Sequence, residues 1–132
     1  MTMKRVTCAI MLRDGRVLLA RRAQGQKNAG LWEFPGGKVE AGESNADCLA
    51  REIWEELGVR GQVGAHVCDS AYTYNEFGMQ ILLCAYLFKP ESDRFELRVH
   101  DAAAYFGADE LGRLALSPAD VPIAEEVRKR LV

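Results

Sequence analysis

Three glutamates in the middle of the chain are spaced so that they could share one metal ion. Glu52, Glu55 and Glu56 stand at positions i, i+3 and i+4, which lie on one face of an α-helix. Like charges at this spacing destabilise an isolated helix by about 0.2–0.5 kcal/mol per pair. A hard divalent cation would remove the repulsion, and Mg²⁺ prefers carboxylate oxygens together with substrate phosphates. The spacing therefore allows two interpretations, a solvated acidic face or a Mg²⁺ site.

Residues around the glutamates favour the metal site. Arg51 stands within the cluster, where a guanidinium can pair with carboxylates and fix their orientation. Gly36 and Gly37 follow Pro35, so the backbone can approach a ligand closely and offer a carbonyl oxygen. Gly58 comes directly after the acidic face and is predicted to end the helix.

The segment from Gly37 to Val59 resembles the Nudix box, G-x5-E-x7-R-E-U-x-E-E-x-G-U, in which U is a bulky aliphatic residue. Every fixed position is filled, by Gly37, Glu43, Arg51, Glu52, Ile53, Glu55, Glu56, Gly58 and Val59. The likeness to MutT-like triphosphatases extends to residues 31–40, 18–22 and 117–131, whereas residues 62–116 match weakly.

This resemblance implies an α/β fold, namely an α/β/α sandwich with a mixed sheet, a central box helix and a C-terminal helix, in one domain over residues 1–132. It implies that Glu52, Glu55 and Glu56, with the Gly36 carbonyl, hold Mg²⁺, for which Mn²⁺ could substitute. The implied catalytic set is Glu52, Arg51 and Glu55. Within it, Glu52 would activate water and Arg51, with Glu43, would orient Glu52.

The resemblance also implies a reaction. In-line attack of water on a phosphorus of a nucleoside triphosphate would give the nucleoside monophosphate and pyrophosphate, as in the removal of 8-oxo-dGTP or the hydrolysis of CTP or a modified dCTP. The implied substrate-binding residues are Arg22, Lys27, Glu33, Phe34, Gly37 and Asp120. Two of them have simpler alternatives, because Arg22 could be a solvated strand end and Phe34 an ordinary core aromatic.

Asp120 is the most informative position outside the box. It stands in Pro118-Ala119-Asp120-Val121-Pro122, where 8-oxoguanine-specific relatives have Asn. An ionised Asp only accepts hydrogen bonds, whereas Asn both donates and accepts. Nearness to a helix N-terminus should keep Asp120 ionised, which would favour the cytosine amine or the N1–H and amine of guanine. The alternative is a helix cap.

Many relatives carry an additional Glu in the late sheet, six residues before an aromatic. Counting back from Phe106 gives His100, with Asp101 beside it. Either residue could substitute for that Glu, or Glu52 could act alone. Because neither restores the Glu, we expect both to contribute less than the box glutamates.

Two other functional interpretations remain open. One is a Nudix hydrolase of another nucleoside diphosphate-linked substrate or a dinucleoside polyphosphate; against it, the chain has no proline between Pro35 and Pro90. The other is a non-catalytic nucleotide-sensing domain, although such domains commonly lose box glutamates.

Composition limits the partners. The net charge of −2 argues against binding to a nucleic acid polymer or a membrane surface, but allows a basic pocket for one nucleotide. No apolar stretch reaches the roughly 20 residues of a membrane span, and the N-terminus does not read as a signal peptide. Cys8, Cys48, Cys68 and Cys84 form no CxxC pair, which predicts reduced thiols in a cytoplasmic protein. We expect a monomer, with a dimer as the alternative.

The elements that must position these residues follow from periodicity and turn signals. Ser44 is the predicted N-cap of the box helix, with Asp47 three residues on and Gly58 as the C-cap. Strands are predicted at 6–12, 16–22, 31–34, 62–74, 79–88, 94–99 and 103–106, and a last helix at 119–131. The connections are a turn at Asp14-Gly15, a loop at 24–30, a break at Pro35-Gly36-Gly37 and a junction near Asn75–Gly78.

Overall fold

The computed structural model describes residues 2–74 and 78–131. Its strands are β1 (Thr2–Ile10), β2 (Leu12–Arg13), β3 (Arg16–Arg22), β4 (Trp32–Glu33), β5 (Gly36–Lys38), β6 (Gly61–Tyr74), β7 (Met79–Pro90) and β8 (His100–Phe106). The helices are α1 (Asn45–Leu57), α2 (Ala108–Leu111) and α3 (Val121–Leu131), with a 3-10 turn at Pro118–Asp120 before α3.

Two four-stranded sheets form the centre of the fold. The first has the order β5-β1-β7-β6; its β1–β7 pair is parallel and its other pairs are antiparallel, so the predicted mixed sheet is confirmed. In the second sheet, β3 pairs antiparallel with β2, β4 and β8. The sequence analysis had not divided the strands between two sheets.

Alternation along β1 decides which helix covers which face. Cys8 and Ile10 belong to the buried cluster that includes Ile123 of α3. Ala9 and Met11 belong to the cluster that includes Ile53 of α1. Successive strand residues point to opposite faces, so the two helices lie on opposite sides of the sheet. The predicted α/β/α sandwich is therefore confirmed.

Helix α1 begins and ends at the predicted residues. Ser44 is the N-cap, and its Oγ accepts a hydrogen bond from the Asp47 amide at 3.1 Å. Gly58 is the C-cap in the left-handed conformation, with φ 63°, and its N–H donates to the Trp54 carbonyl. Leu49, Ile53 and Leu57 are fully buried against the sheet.

One strand prediction is wrong. Residues 94–99 were expected to form a strand, but they run as irregular chain across the end of α1. The Glu96 amide donates to the Leu57 carbonyl at 2.8 Å, and the Arg98 amide donates to the Glu56 carbonyl at 3.2 Å. These amides are therefore hydrogen-bonded to the helix and not to a neighbouring strand.

Smaller corrections concern element ends. The last strand begins at His100, before the predicted residue 103. The Gly36-Gly37 turn, expected only to interrupt a strand, begins β5, which pairs with β1. The start of the final helix is a 3-10 turn, with α3 beginning at Val121. Of the predicted junction near Asn75–Gly78, residues 75–77 lie outside the described residues.

Two further expectations concern thiols and membranes. Cys8, Cys48, Cys68 and Cys84 are all free thiols. Within residues 2–74 and 78–131, no helix has the length and apolar character needed to cross a membrane.

Candidate functional site

The site lies where the chain crosses from one sheet to the other. β4 pairs with β3 in the second sheet, and three residues after its end β5 pairs with β1 in the first. Gly36 packs so closely on β1 that a Cβ there would overlap the Thr7 backbone. Only glycine fits this crossing, which brings the Gly36-Gly37 backbone under the acidic face of α1.

Arg51 connects three of the box glutamates. Its Nε and one Nη donate to the two carboxylate oxygens of Glu43, at 2.7 and 2.9 Å. Its other Nη donates to Glu52 at 2.9 Å and to both oxygens of Glu55 at 3.2 Å. Charge-assisted bonds from one planar guanidinium fix the carboxylates relative to one another. They also hold the pKa of Glu43 at about 2, with the side-chain bond from Arg51 as the largest cause.

Glu52 lies directly over the glycine turn. A Cβ at Gly37 would overlap the Glu52 carboxylate, so the absent side chain at residue 37 makes room for Glu52. Burial raises the pKa of Glu52, while the bond and charge of Arg51 act in the opposite direction. Glu55 is the most exposed of the three glutamates, with about half of its side chain accessible.

Glu56 turns away from Arg51 toward the second sheet. It is only 8% exposed, and one of its oxygens accepts from the Gly36 amide at 3.3 Å. Burial, followed by the charges of Glu33 and Glu52, raises the pKa of Glu56 to about 8. A buried carboxylate held beside other carboxylates is a group that a cation would stabilise.

His100 and Glu33 meet Glu56 from the second sheet. His100 Nε2 lies 2.9 Å from a Glu33 oxygen, which also accepts from Arg22 at 3.3 Å. One ligand atom from each of Glu33, Glu56 and His100 lies within 4.8 Å of the other two, so this group could hold a metal ion. His100 is fully buried at its side chain, and its Nδ1 makes no hydrogen bond within the described chain.

The two residues considered for the late-sheet position are thus separated. His100 faces the site, whereas Asp101 forms an ion pair with Arg21 at 2.7 Å and is about 40% exposed. Alternation along β8 explains the difference, since adjacent strand residues point to opposite faces. Asp101 is therefore not among the groups that meet Glu56.

A cavity of about 350 Å³ opens beside these carboxyl groups. All six residues that the resemblance assigned to substrate binding line it: Arg22, Lys27, Glu33, Phe34, Gly37 and Asp120. Gly36 lines it too, so the predicted substrate residues and the glycine turn border one space. A volume in this range matches small-molecule sites in general.

The two basic residues Arg22 and Lys27, which line the cavity, each contact a neighbouring residue. The Arg22 Nε donates to the Lys27 carbonyl at 3.1 Å, in addition to the contact of its guanidinium with Glu33. Lys27 Nζ lies 4.7 Å from the centre of the Tyr74 ring. Phe34 is 3% exposed and also belongs to the core, so it is both a core aromatic and a cavity wall.

Asp120 departs from the sequence-based expectation. It is 6% exposed, and its Oδ2 accepts from the Phe34 amide at 2.8 Å, so its bond is to the end of β4 and not to its own helix. Burial, then the charge of Glu33, raises the pKa of Asp120 to about 8. Burial and the charge of Glu33 thus act against the ionised form that was expected for Asp120, and the hydrogen bond from the Phe34 amide acts in favour of it.

Other lining residues were not identified from the sequence. The end of β6 and the first half of β7 also border the cavity, through Tyr74, Met79, Ile81 and Leu83. The only available signal was an aromatic and several apolar residues on either side of a turn. That pattern is equally typical of strands that have no ligand site.

The comparisons with known proteins agree with this geometry. A family model described as NUDIX domain matches residues 1–129. The CTP pyrophosphohydrolase of Escherichia coli (strain K12) is 38% identical over 125 residues, covering 95% of this chain and 91% of that protein. The 8-oxo-dGTP diphosphatase of Haemophilus influenzae is 49% identical over 45 residues, which cover 34% of this chain and 33% of that protein.

Solved structures give the same result. The solution structure of the E. coli ORF135 protein matches with a TM-score of 0.83 and 37% identity, covering 98% of this chain and 91% of that one. The crystal structure of a MutT NUDIX hydrolase from Burkholderia pseudomallei matches with a TM-score of 0.82 and 29% identity, covering 96% and 99% of the two chains.

Proposed function

Because the chain belongs to the NUDIX family and is a hydrolase of the MutT-like kind, we propose that it hydrolyses a nucleoside triphosphate to the monophosphate and pyrophosphate. The observation that carries this proposal is the shared position of Gly36-Gly37. The turn borders the cavity on one side and touches Glu52 and Glu56 on the other. A nucleotide in the cavity would therefore have phosphates within reach of the acidic face of α1.

A divalent metal is part of the proposal, with Mg²⁺ as the ion and Mn²⁺ as a substitute. The donor set fits such an ion, because the buried carboxylate of Glu56 and the partly buried carboxylate of Glu52 both contact the glycine turn. We propose Glu52, Glu55, Glu56 and the Gly36 carbonyl as its ligands. Bound there, the metal would lower the pKa of water and neutralise charge developing on phosphate.

Within that site, we propose Glu52 as the group that accepts the proton of the attacking water. Arg51 bonds Glu52 and Glu43 together, so it would hold the Glu52 carboxylate in one orientation. Arg22 would contact the phosphates, and Lys27 would do so less directly. Glu33 lines the cavity and would lie beside the nucleotide, with His100 behind it and in contact with its carboxylate.

The substrate class we propose is CTP, a modified dCTP or 8-oxo-dGTP. The E. coli relative matched along nearly the whole chain is a CTP pyrophosphohydrolase, and a shorter match is an 8-oxo-dGTP diphosphatase. Asp120, which lines the same cavity as Arg22, would contact the edge of the base. The biological role of the protein would then be sanitation or control of the nucleotide pool.

A substrate screen tests the proposal. Purified protein is assayed for pyrophosphate release from normal and oxidised nucleoside triphosphates, with kcat/KM for each, in Mg²⁺ and after chelation. We expect activity on at least one proposed substrate and none after chelation. Glu56→Gln should lower kcat by at least about 100-fold, the scale for losing a charge stabiliser in the transition state.

Folding of Glu56→Gln provides the control. Because burial favours the protonated form of Glu56, and Gln has nearly the same shape as a protonated Glu, the variant should fold as well as the wild type. Turnover near that of the wild type in this folded variant would contradict the metal assignment. Release of inorganic phosphate instead of pyrophosphate would contradict the proposed bond cleavage.

A further inference from the structure

The last four backbone carbonyls of α1 are all bonded, and most of their partners come from one distant segment. The helix leaves its final carbonyls without partners inside the helix, as every α-helix does. Trp54 O accepts from the Gly58 amide at 3.0 Å, and Leu57 O accepts from the Glu96 amide at 2.8 Å. Glu56 O accepts from the Arg98 amide at 3.2 Å.

The Arg98 side chain completes this set. One of its Nη atoms donates to Trp54 O at 3.2 Å and to Glu55 O at 3.3 Å. Arg98 therefore bonds to three consecutive residues of the last turn, through its backbone once and through its guanidinium twice. Its charge also lies at the helix C-terminus, where the dipole favours a cation.

The turn held in this way carries two of the glutamates. Glu55 and Glu56 are the residues whose carbonyls Arg98 bonds, so fraying of this turn would move both carboxylates. Two residues after Arg98 comes His100, whose side chain meets Glu33 and Glu56. A short stretch of chain thus connects the end of α1 to the start of β8 on the other side of the site.

We propose that Arg98 is a positioning residue, which fixes the last turn of α1 so that Glu55 and Glu56 keep the geometry that binds the metal ion. The inference rests on the proposed function, since it concerns the metal site proposed there. Arg98 belongs neither to the residues that line the cavity nor to the group of Glu33, Glu56 and His100, so it would act on the metal only through α1. Partners that orient metal ligands from outside commonly change metal affinity by 10–100-fold when they are removed.

Arg60 provides a matched control on the same helix end. Its guanidinium lies 4.3 Å from the centre of the Trp54 ring, as that of Arg98 lies 5.7 Å from it. Within residues 2–74 and 78–131, no side-chain hydrogen bond from Arg60 to a carbonyl of α1 is present. Arg60→Gln therefore removes an equal charge and a contact with the same ring, but no bond to the helix.

The experiment measures Mn²⁺ binding by electron paramagnetic resonance, without nucleotide, in the wild type, Arg98→Gln, Arg98→Lys and Arg60→Gln. Thermal unfolding in chelator is recorded for each protein. We expect Arg98→Gln to weaken Mn²⁺ binding about tenfold, and Arg60→Gln to change it by less than about twofold. Arg98→Lys should be intermediate, because an ammonium keeps the charge but not the planar fork that reaches two carbonyls.

The outcomes separate positioning from general stability. If Arg98→Gln lowers the unfolding temperature but binds Mn²⁺ like the wild type, Arg98 is only structural and the inference is wrong. An equal loss in Arg60→Gln would also overturn it. If Arg98→Gln does not fold, wild-type affinity in Arg98→Lys overturns the inference and a weakened affinity supports it.

Failure of the proposed function would look different. A wild-type protein that neither binds Mn²⁺ nor releases pyrophosphate overturns the metal site, and with it the role of Arg98. A wild type that does both, beside an Arg98→Gln variant with unchanged Mn²⁺ affinity and an unchanged KM for nucleotide, overturns the positioning role alone.

Discussion

Two carboxyl groups at the site, Glu56 and Asp120, are buried enough that the pKa of each rises to about 8. The charge of Glu33 contributes to both shifts. Burial therefore favours the protonated form of each group in the protein without ligands. The consequences differ, since Glu56 faces the proposed metal site and Asp120 faces the proposed base site.

For Asp120, protonation changes what the base would meet. Oδ2 accepts from the Phe34 amide, so a protonated carboxyl would offer its O–H from the other oxygen. The protonated Asp120 side chain would then resemble Asn, because its O–H could donate a hydrogen bond to O4 of uracil. Once Asp120 ionises, it only accepts, which favours the cytosine amine.

We therefore expect discrimination between CTP and UTP to depend on pH. The kcat/KM for CTP divided by that for UTP should be small below pH 7 and should grow roughly tenfold or more as the pH passes about 8. Roughly tenfold is the scale of the cost when a buried charge is left without a hydrogen-bond donor. The measurement is kcat/KM for both nucleotides from pH 6 to 9. Asp120→Asn should have a ratio that is constant with pH; a wild-type ratio equally constant would exclude Asp120 as the titrating base contact.

The family resemblance singled out Asp120 as a residue of the cavity, but it could not predict the charge of that residue. The residue was singled out because the Pro118–Pro122 string resembles the corresponding segment of MutT-like relatives. Its ionisation depends on burial and on Glu33, which is brought beside it by a contact between residues 86 positions apart. In the same way, His100 could be counted as a candidate, whereas its contact with Glu33 requires the pairing of β3 with both β4 and β8.

At the scale of elements, α1 was predictable because its signals are local. The cap at Ser44, the apolar face and Gly58 all lie within or beside the helix itself. Residues 94–99 were predicted wrongly because their hydrogen-bond partners lie some 40 positions away, at the end of α1. A strand-like composition cannot indicate which carbonyls the backbone will meet.

The N-terminal cap of α1 gives a prediction about stability without catalysis. Ser44→Ala removes the hydroxyl that accepts from Asp47, so the free energy of unfolding should fall by about 1 kcal/mol. Ser44 stands eight residues before Glu52, roughly 12 Å along the helix, so kcat should change by less than about twofold. Urea unfolding and steady-state assays measure the two effects.

Ser92 supplies the control for this substitution. Its hydroxyl accepts from the Arg94 amide at 3.0 Å in an exposed turn, so Ser92→Ala should change stability by less than about 0.5 kcal/mol. Equal effects of the two substitutions would show that the cap does not stabilise α1. A large loss of kcat in Ser44→Ala would show that order at the two ends of the helix is coupled.

At the scale of the whole molecule, the site is a product of the contact between the two sheets. Glu52 and Glu56 come from a helix packed on the first sheet, and Glu33 and His100 come from strands of the second. Asp120 comes from the turn before α3 on the opposite face. Carboxyl groups that would be solvated in the unfolded chain are therefore concentrated and buried by folding, which links stability to pH.

The metal-free protein should lose stability as the pH rises from about 5 to 8. Glu56 and Asp120 have ordinary pKa values of 4.5 and 3.8, and values of about 8 in the folded state. Between these limits the folded state binds more protons than the unfolded state. The contribution of each group to the free energy of unfolding is therefore complete below its ordinary pKa and is lost as the pH rises to about 8. The slope is at most about 1.4 kcal/mol per pH unit for each group. Glu43, with a pKa near 2, acts in the opposite direction only below about pH 4.5.

Urea unfolding in chelator from pH 5 to 9 measures this loss of stability. Glu56→Gln and Asp120→Asn should each reduce the slope, and excess Mg²⁺ should reduce it in the wild type but not in Glu56→Gln. A slope identical in the wild type and both variants would mean that neither carboxyl is protonated on folding.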